Sequence, residues 1–127
     1  MLKNLMLVGG GGFLGSSLRY AVAVACARLY PALVFPLDTF IVNILGCFAI
    51  GFLAGLAAFK QVFGESGRIF VFTGILGGFT TFSAFGLETF YFIRTAQWPL
   101  AFLNVFLQIA VGFTAVAAGH WLADKIF

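Results

Sequence analysis

Four long stretches of this chain carry almost no charge, and they constrain its fold more than any other feature. They are Leu5 to Leu29, Thr39 to Phe59, Ile69 to Leu87 and Thr95 to Ala123. Only the first contains charged residues, Arg19 and Arg28. A helix needs about 20 residues to cross the hydrocarbon core of a bilayer. With 62% hydrophobic and 9% charged residues, the composition is that of an integral membrane protein.

We therefore predict an all-α membrane protein with four transmembrane helices, which form a single domain over residues 1–127. The approximate spans are 5–29, 39–59, 69–92 and 97–122. These spans leave only short loops between them. The lipid bilayer is then the main environment of the chain.

The third span contains a segment, residues 77–85, that a plain spanning helix would not need. It combines two adjacent glycines, three hydroxyl side chains and three phenylalanines. Paired glycines weaken a helix. Irregular backbone at membrane depth is tolerated only where it is buried in protein or lines a water-filled path. We predict that the third helix is broken in mid-membrane to serve a small ligand.

The charged residues argue against several classes of function. The seven Lys and Arg residues are scattered, so no nucleic-acid patch is expected. The four acids lie near predicted helix ends or in a loop and form no catalytic carboxylate pair. Neither cysteine has a His or Cys neighbour at metal-ligand spacing. We expect neither an enzyme nor an organic cofactor.

The basic residues predict only a weak preference for one orientation. With four spans, both termini and the middle loop share one side of the membrane. That side carries four basic residues and the other carries two, with Arg19 at an undetermined depth: Lys3, Lys60, Arg68 and Lys125 against Arg28 and Arg94. A chain with so little positive-inside bias can insert either way up. Two copies in opposite orientations would form an antiparallel dimer.

Four polar side chains within the spans are candidates for function. Arg19 either faces an aqueous vestibule that attracts anions or extends its charge to the interface. Asn43 either donates hydrogen bonds to an anion or joins helices. Asn104 and Gln108 are four residues apart on one helix face. They either line a polar track or bond to neighbouring helices.

Phenylalanine and glycine spacing adds two further predictions. Phe79, Phe82 and Phe85 recur every three residues, and their electropositive ring edges suit either an anion or core packing. Glycines also recur every four residues, a spacing that lets membrane helices approach closely. These pairs are Gly11 and Gly15, Gly51 and Gly55, and Gly74 and Gly78.

Three motifs occur in order along the first three spans. They are Gly11-Gly12-Phe13-Leu14-Gly15 followed by Arg19-Tyr20, then residues 39–48 around Asn43, then Gly74 with residues 77–85. Together these motifs resemble the Fluc (CrcB) fluoride channels of bacteria. The fourth span carries little of the resemblance.

The resemblance implies a passive, fluoride-selective channel in the bacterial inner membrane. It would export cytoplasmic fluoride through two pores of an antiparallel, dual-topology homodimer. By the same resemblance Asn43, Phe82 and Phe85 contact the fluoride ion, and Arg19 belongs to the pore vestibule.

The resemblance also implies a structural sodium ion at the dimer axis, held by the backbone carbonyls of Gly77 and Thr80. Ala84 departs from the family, in which a hydroxyl is common at this position. The polar track on the third span would then rest on Ser83, whereas Asn104 and Gln108 enter only by their spacing.

Two other classes of protein remain as alternatives. A dual-topology exporter of the small multidrug-resistance type would need a membrane-embedded carboxylate, and the first span has none. A non-transporting assembly subunit would use the glycines and amides only for packing. That reading leaves the hydroxyl-rich segment 77–85 without a role.

Overall fold

The structure is a computed structural model that describes residues 1–60 and 63–126. Helix α1 covers Leu2–Leu29 and α2 covers Leu37–Lys60. The third span contains α3 (residues 65–79) and α4 (Phe82–Arg94). Helix α5 covers Trp98–Ile126. The described residues form helices without strands, as predicted for an all-α protein, and the third span is interrupted as predicted.

Helix α3 is not a regular α-helix. It begins with the α-helical turn Glu65–Arg68, continues as a π-helix over Ile69–Leu76, and ends with the α-helical residues Gly77–Phe79. Such π-helical stretches are rare and often occur at functional sites. The sequence pattern did not predict this one, because it lies in an apolar run without any local signal.

Among the residues that the structure describes, three segments are long and apolar enough to cross a membrane: Leu37–Ala57, Glu65–Arg94 and Trp98–Ile126. The chain is therefore a multi-pass membrane protein. Helix α1 has the length to cross as well, about 42 Å at about 1.5 Å per residue. Its glycines, serines and Arg19 make it less apolar than the other three, so its crossing stays a prediction.

The predicted glycine pairs lie where helices approach most closely. Helix α1 packs mainly on α3. A Cβ placed on Gly11 would lie 2.5 Å from the Phe70 carbonyl oxygen and 2.8 Å from the Gly74 Cα. A Cβ on Gly78 would lie 2.7 Å from the Gly12 carbonyl oxygen. Only glycine permits this backbone contact, so the predicted packing role is confirmed for these pairs.

Helices α2 and α5 form the other main contact. A Cβ on Gly51 would collide with the Val116 carbonyl, and one on Gly55 would lie 2.8 Å from the Ala123 Cβ. Gly119 of α5 is matched in the same way to the backbone of Phe48 in α2. The two helix pairs are thus each held by glycines, and they bring α2 and α3 side by side where the third span is interrupted.

Replacing Gly11 with alanine should destabilise the fold by about 1–3 kcal/mol, the usual cost of overpacking. The added methyl meets backbone atoms of α3, which cannot rotate away. Gly9→Ala is the matched control, since its Cβ meets nothing within 4 Å. It should be neutral or stabilising by up to about 1 kcal/mol, the helix preference for alanine over glycine. Thermal unfolding in detergent measures both, and equal melting temperatures would contradict the packing argument.

Helix α2 begins at Leu37, so Asp38 lies within its first turn. A carboxylate there still favours the helix, because it faces the positive end of the helix dipole.

Candidate functional site

The third span breaks at Thr80 and Thr81, which we call the break. Thr80 has ψ 160° and Thr81 has φ −151° and ψ 114°, both extended. The Thr81 hydroxyl then accepts a hydrogen bond from the Ala84 N–H at 3.3 Å and starts α4. Gly77 and Gly78 are themselves helical. Gly78 serves the contact with α1, whereas Gly77 is exposed, and the interruption lies two residues beyond Gly78.

The side chain of Asn43 holds the break open. Its Oδ1 accepts the Thr81 backbone N–H at 2.8 Å, and its Nδ2 donates to the Thr81 carbonyl oxygen at 3.0 Å. The Asn43 amide thus replaces the helical hydrogen-bond partners of both the N–H and the carbonyl of Thr81. Buried backbone groups need such partners, so Asn43 stabilises an interruption that hydrocarbon would otherwise disfavour.

This arrangement changes the bonding of Gly77. In an uninterrupted helix its carbonyl would accept the N–H of Thr81, four residues later. That N–H goes to Asn43 instead. Gly77 is also exposed on the surface of this chain. Its carbonyl is therefore available to a ligand or a second copy.

A cleft of about 460 Å³, which we call the groove, lies beside the break. Six of the predicted site residues line it: Asn43, Gly77, Thr80, Phe82, Phe85 and Gln108. Its wall is mostly apolar, and none of the described residues that form it is charged. Polar groups of the break and aromatic rings of α4 thus line one open cleft.

The two predicted aromatic residues of α4 lie together at the groove. The ring centroids of Phe82 and Phe85 are 5.4 Å apart and the rings are tilted by 64°, an edge-to-face arrangement. Phe82 is 81% exposed. Ser83 is also exposed, and its hydroxyl lies 3.3 Å from that of Thr81. Residues 82–85 therefore present an aromatic ring and a hydroxyl at the surface of a single chain.

Arg19 lies on the α1 side of the break. Its Nη1 donates to the Thr80 carbonyl oxygen at 3.4 Å, and the residue is half-buried. It lines a cavity of about 350 Å³, which we call the Arg19 pocket. Thr81 lines both this pocket and the groove. The guanidinium therefore points to the break, and the break separates two cavities.

The Arg19 pocket contains two residues that the sequence reasoning did not single out. Thr39 donates from its hydroxyl to Glu88 Oε1 at 2.5 Å, and both line the pocket with Asp38. The other carboxylate oxygen of Glu88 is covered and has no partner among the described residues. The sequence did contain a signal for Glu88, because it is the only acid in residues 66–123.

Asn104 and Gln108 share a helix face, yet the structure does not bring them to the same place. Gln108 lines the groove and accepts a hydrogen bond from Asn43 Nδ2 at 3.1 Å. Asn104 is fully buried and donates to the Thr89 hydroxyl at 3.0 Å, which in turn donates to the Phe85 carbonyl oxygen. Asn104 thus bonds to a neighbouring helix, whereas Gln108 lines the groove.

Comparison with known proteins identifies the family. The model of the CrcB-like protein family, described as "Camphor Resistance (CrcB)", matches residues 6–120. A protein of Azobacteroides pseudotrichonymphae is 42% identical over 98% of each chain. One from Helicobacter pylori is 47% identical over 91% of this chain and 88% of its own. One from Methylobacillus flagellatus is 43% identical over 95% and 94%. All three are named fluoride-specific ion channel FluC. With the broken third span and matching motifs in α1 to α4, this chain belongs to the CrcB-like family.

Proposed function

We propose that this chain forms a passive channel for fluoride ions. The observation that carries the proposal is the break itself, at which a membrane-embedded amide holds the backbone open beside a groove that Phe82 and Phe85 line. The names of the relatives, fluoride-specific ion channel, agree with it.

The chemistry of the groove suits a small, dehydrated anion. Fluoride holds its water strongly, so a path must offer partial positive charge in place of that water. The edges of Phe82 and Phe85 and nearby polar hydrogens do so without a fixed charge. A fixed positive charge in the groove would hold the anion too tightly, whereas conduction needs binding weak enough for release. Arg19, across the break, would draw anions toward the site.

We propose further that two copies assemble as an antiparallel homodimer with two pores. Phe82 is mostly exposed in one chain, and Gly77 has a carbonyl without its helical donor. A second copy across this face would cover both. The weak orientation bias of the basic residues permits the opposite insertion that such a dimer needs.

A sodium ion is the cation that the resemblance places between the two copies. The Gly77 carbonyl fits this role, since its helical donor has been diverted to Asn43. The Thr80 carbonyl has a long contact with Arg19 and retains a second lone pair. Hard cations prefer several oxygen ligands, and two carbonyls from each copy would supply four. The ion would hold the two breaks together, in a bacterial inner membrane.

Purified protein in liposomes loaded with potassium fluoride tests the channel. We expect fluoride efflux to start when a potassium ionophore is added, because a passive channel carries net charge. Liposomes loaded with potassium chloride should retain chloride under the same conditions. Equal fluoride and chloride rates would contradict selectivity, and efflux without the ionophore would indicate coupled transport instead.

A further inference from the structure

A second cavity adjoins the Arg19 pocket. It encloses about 310 Å³ between the end of α1 and the start of α2, where Tyr30 and Leu37 line it, and we call it the loop cavity. Two residues, Ala23 and Asp38, line both the loop cavity and the Arg19 pocket. The two spaces therefore meet at these residues.

Together the two cavities connect the loop after α1 with the break. Tyr30 directly follows α1, and Arg19 lies about 16 Å from it along the helix axis, at about 1.5 Å per residue. Arg19 in turn donates to the Thr80 carbonyl at the break, and Thr81 lines the Arg19 pocket. A single chain thus contains a route from the end of a membrane helix to the break, on the side of α1.

Asp38 places a negative charge on this route. Among the described residues that line the loop cavity, it is the only charged one. Arg28, in the last turn of α1, is exposed and lines neither cavity. No salt bridge joins Asp38 to Arg19 or to any other described residue. An anion that comes from the loop therefore meets the carboxylate before the guanidinium, and the carboxylate repels it.

We propose that Asp38 sets the rate at which anions enter this chain from the loop side. Its charge lowers the anion concentration in the loop cavity, so fewer anions reach Arg19. The same charge offsets the attraction of the guanidinium, and conduction needs binding weak enough for release. This inference rests on the proposed fluoride channel and identifies a residue that acts on entry, away from the groove.

Three variants separate the charge of Asp38 from its other properties. Asp38→Asn keeps the size of the side chain and removes the charge, whereas Asp38→Glu keeps the charge. Glu65→Gln is the matched control, because Glu65 is an exposed acid in the first turn of α3, as Asp38 is an acid in the first turn of α2. It matches the loss of a charge at a helix N-terminus, but Glu65 lines neither the groove nor either cavity.

Initial fluoride efflux is measured from liposomes at low fluoride, where entry limits the rate, in the presence of a potassium ionophore. The potassium salt of a large impermeant anion sets the ionic strength between about 10 mM and about 1 M, and the screening length then falls from about 30 Å to about 3 Å. At low ionic strength Asp38→Asn should conduct roughly three- to tenfold faster than the wild type. This difference should disappear at high ionic strength. Asp38→Glu and Glu65→Gln should conduct like the wild type throughout.

Ala23 tests the route itself, since it lines both cavities. Ala23→Leu places a larger side chain at their junction and should slow fluoride efflux severalfold at every ionic strength. Ala25→Leu is the matched control, because Ala25 is exposed on the same helix and lines neither cavity. It should conduct like the wild type. Equal rates in the two variants would show that anions do not pass this junction, and would overturn the inference.

The remaining outcomes are also distinguishable. An Asp38→Asn variant that conducts no faster than the wild type at low ionic strength would overturn the role of the charge. A variant that is faster by the same factor at every ionic strength would overturn it as well, because the effect would then be structural. A wild type without fluoride efflux would overturn the channel proposal itself, and this inference with it.

Discussion

Replacing Asn43 with alanine should lower fluoride efflux by roughly a hundredfold. The substitution removes three hydrogen bonds, of which two hold the backbone of Thr81 and one holds Gln108. At about 1 kcal/mol each, their loss costs about 3 kcal/mol. Since about 1.4 kcal/mol corresponds to a factor of ten, the open form of the break falls by about two powers of ten.

The reason for so large an effect is that the helix has an alternative. Without Asn43, the Thr81 N–H can return to the Gly77 carbonyl and extend α3 through the break. The residues that follow would then rotate with the helix, and Phe82 and Phe85 would leave their places at the groove. Efflux from liposomes measures the loss of conduction. Hydrogen exchange at the Thr81 amide reports the change of partner independently.

Two further variants separate this mechanism from a general loss of stability. Asn4→Ala removes an asparagine from the first turn of α1, away from the break, and should leave efflux unchanged. Asn43→Asp retains an acceptor for the Thr81 N–H but loses the donors to Thr81 and Gln108, so it should remain impaired. Near-normal efflux through Asn43→Ala, in a protein that is still folded, would show that the break does not depend on this amide.

Replacing Phe82 with isoleucine should lower fluoride efflux by roughly tenfold. Isoleucine keeps an apolar side chain but has no electropositive ring edge. The edge-to-face contact with Phe85, whose ring centroid is 5.4 Å away, is lost as well. Aromatic geometry contributes about 0.5–1.5 kcal/mol beyond the burial of area. A loss at the upper end of that range corresponds to about one power of ten in rate.

Phe102→Ile provides the matched control for this prediction. Phe102 is 72% exposed on α5 and stacks on Phe106, outside the groove. Its replacement changes the same chemical groups at a different place, so efflux should be unaffected. If both variants conduct like the wild type, Phe82 contacts lipid or a second copy and has no part in conduction. If both are equally slow, the effect is a general one of losing an exposed ring.

Much of the architecture follows from local sequence. Long uncharged runs predict membrane helices because a bilayer cannot solvate charge or open backbone. Glycines spaced by four residues predict close contact because they share one helix face. Gly11 with Gly74, and Gly51 with Val116, meet as this rule requires. The segment 77–85 also marks the third span as irregular from its composition alone.

The position of the break and the roles of the amides depended on tertiary structure. The sequence marked the whole segment 77–85, and the structure places the break at Thr80 and Thr81 within it, while Gly77 and Gly78 stay helical. Asn43 lies 38 residues from the Thr81 that it holds and 65 residues from Gln108. No local pattern encodes such pairs, because each amide bonds to whichever helix packs beside it. Asn104 and Gln108 share a face by spacing, but one lies against α4 and the other at the groove. The sequence thus determined the membrane helices, the glycine contacts and the family. The packing of α2 and α5 around the third span decided where the break falls and which amides meet there, because each amide bonds to the helix beside it.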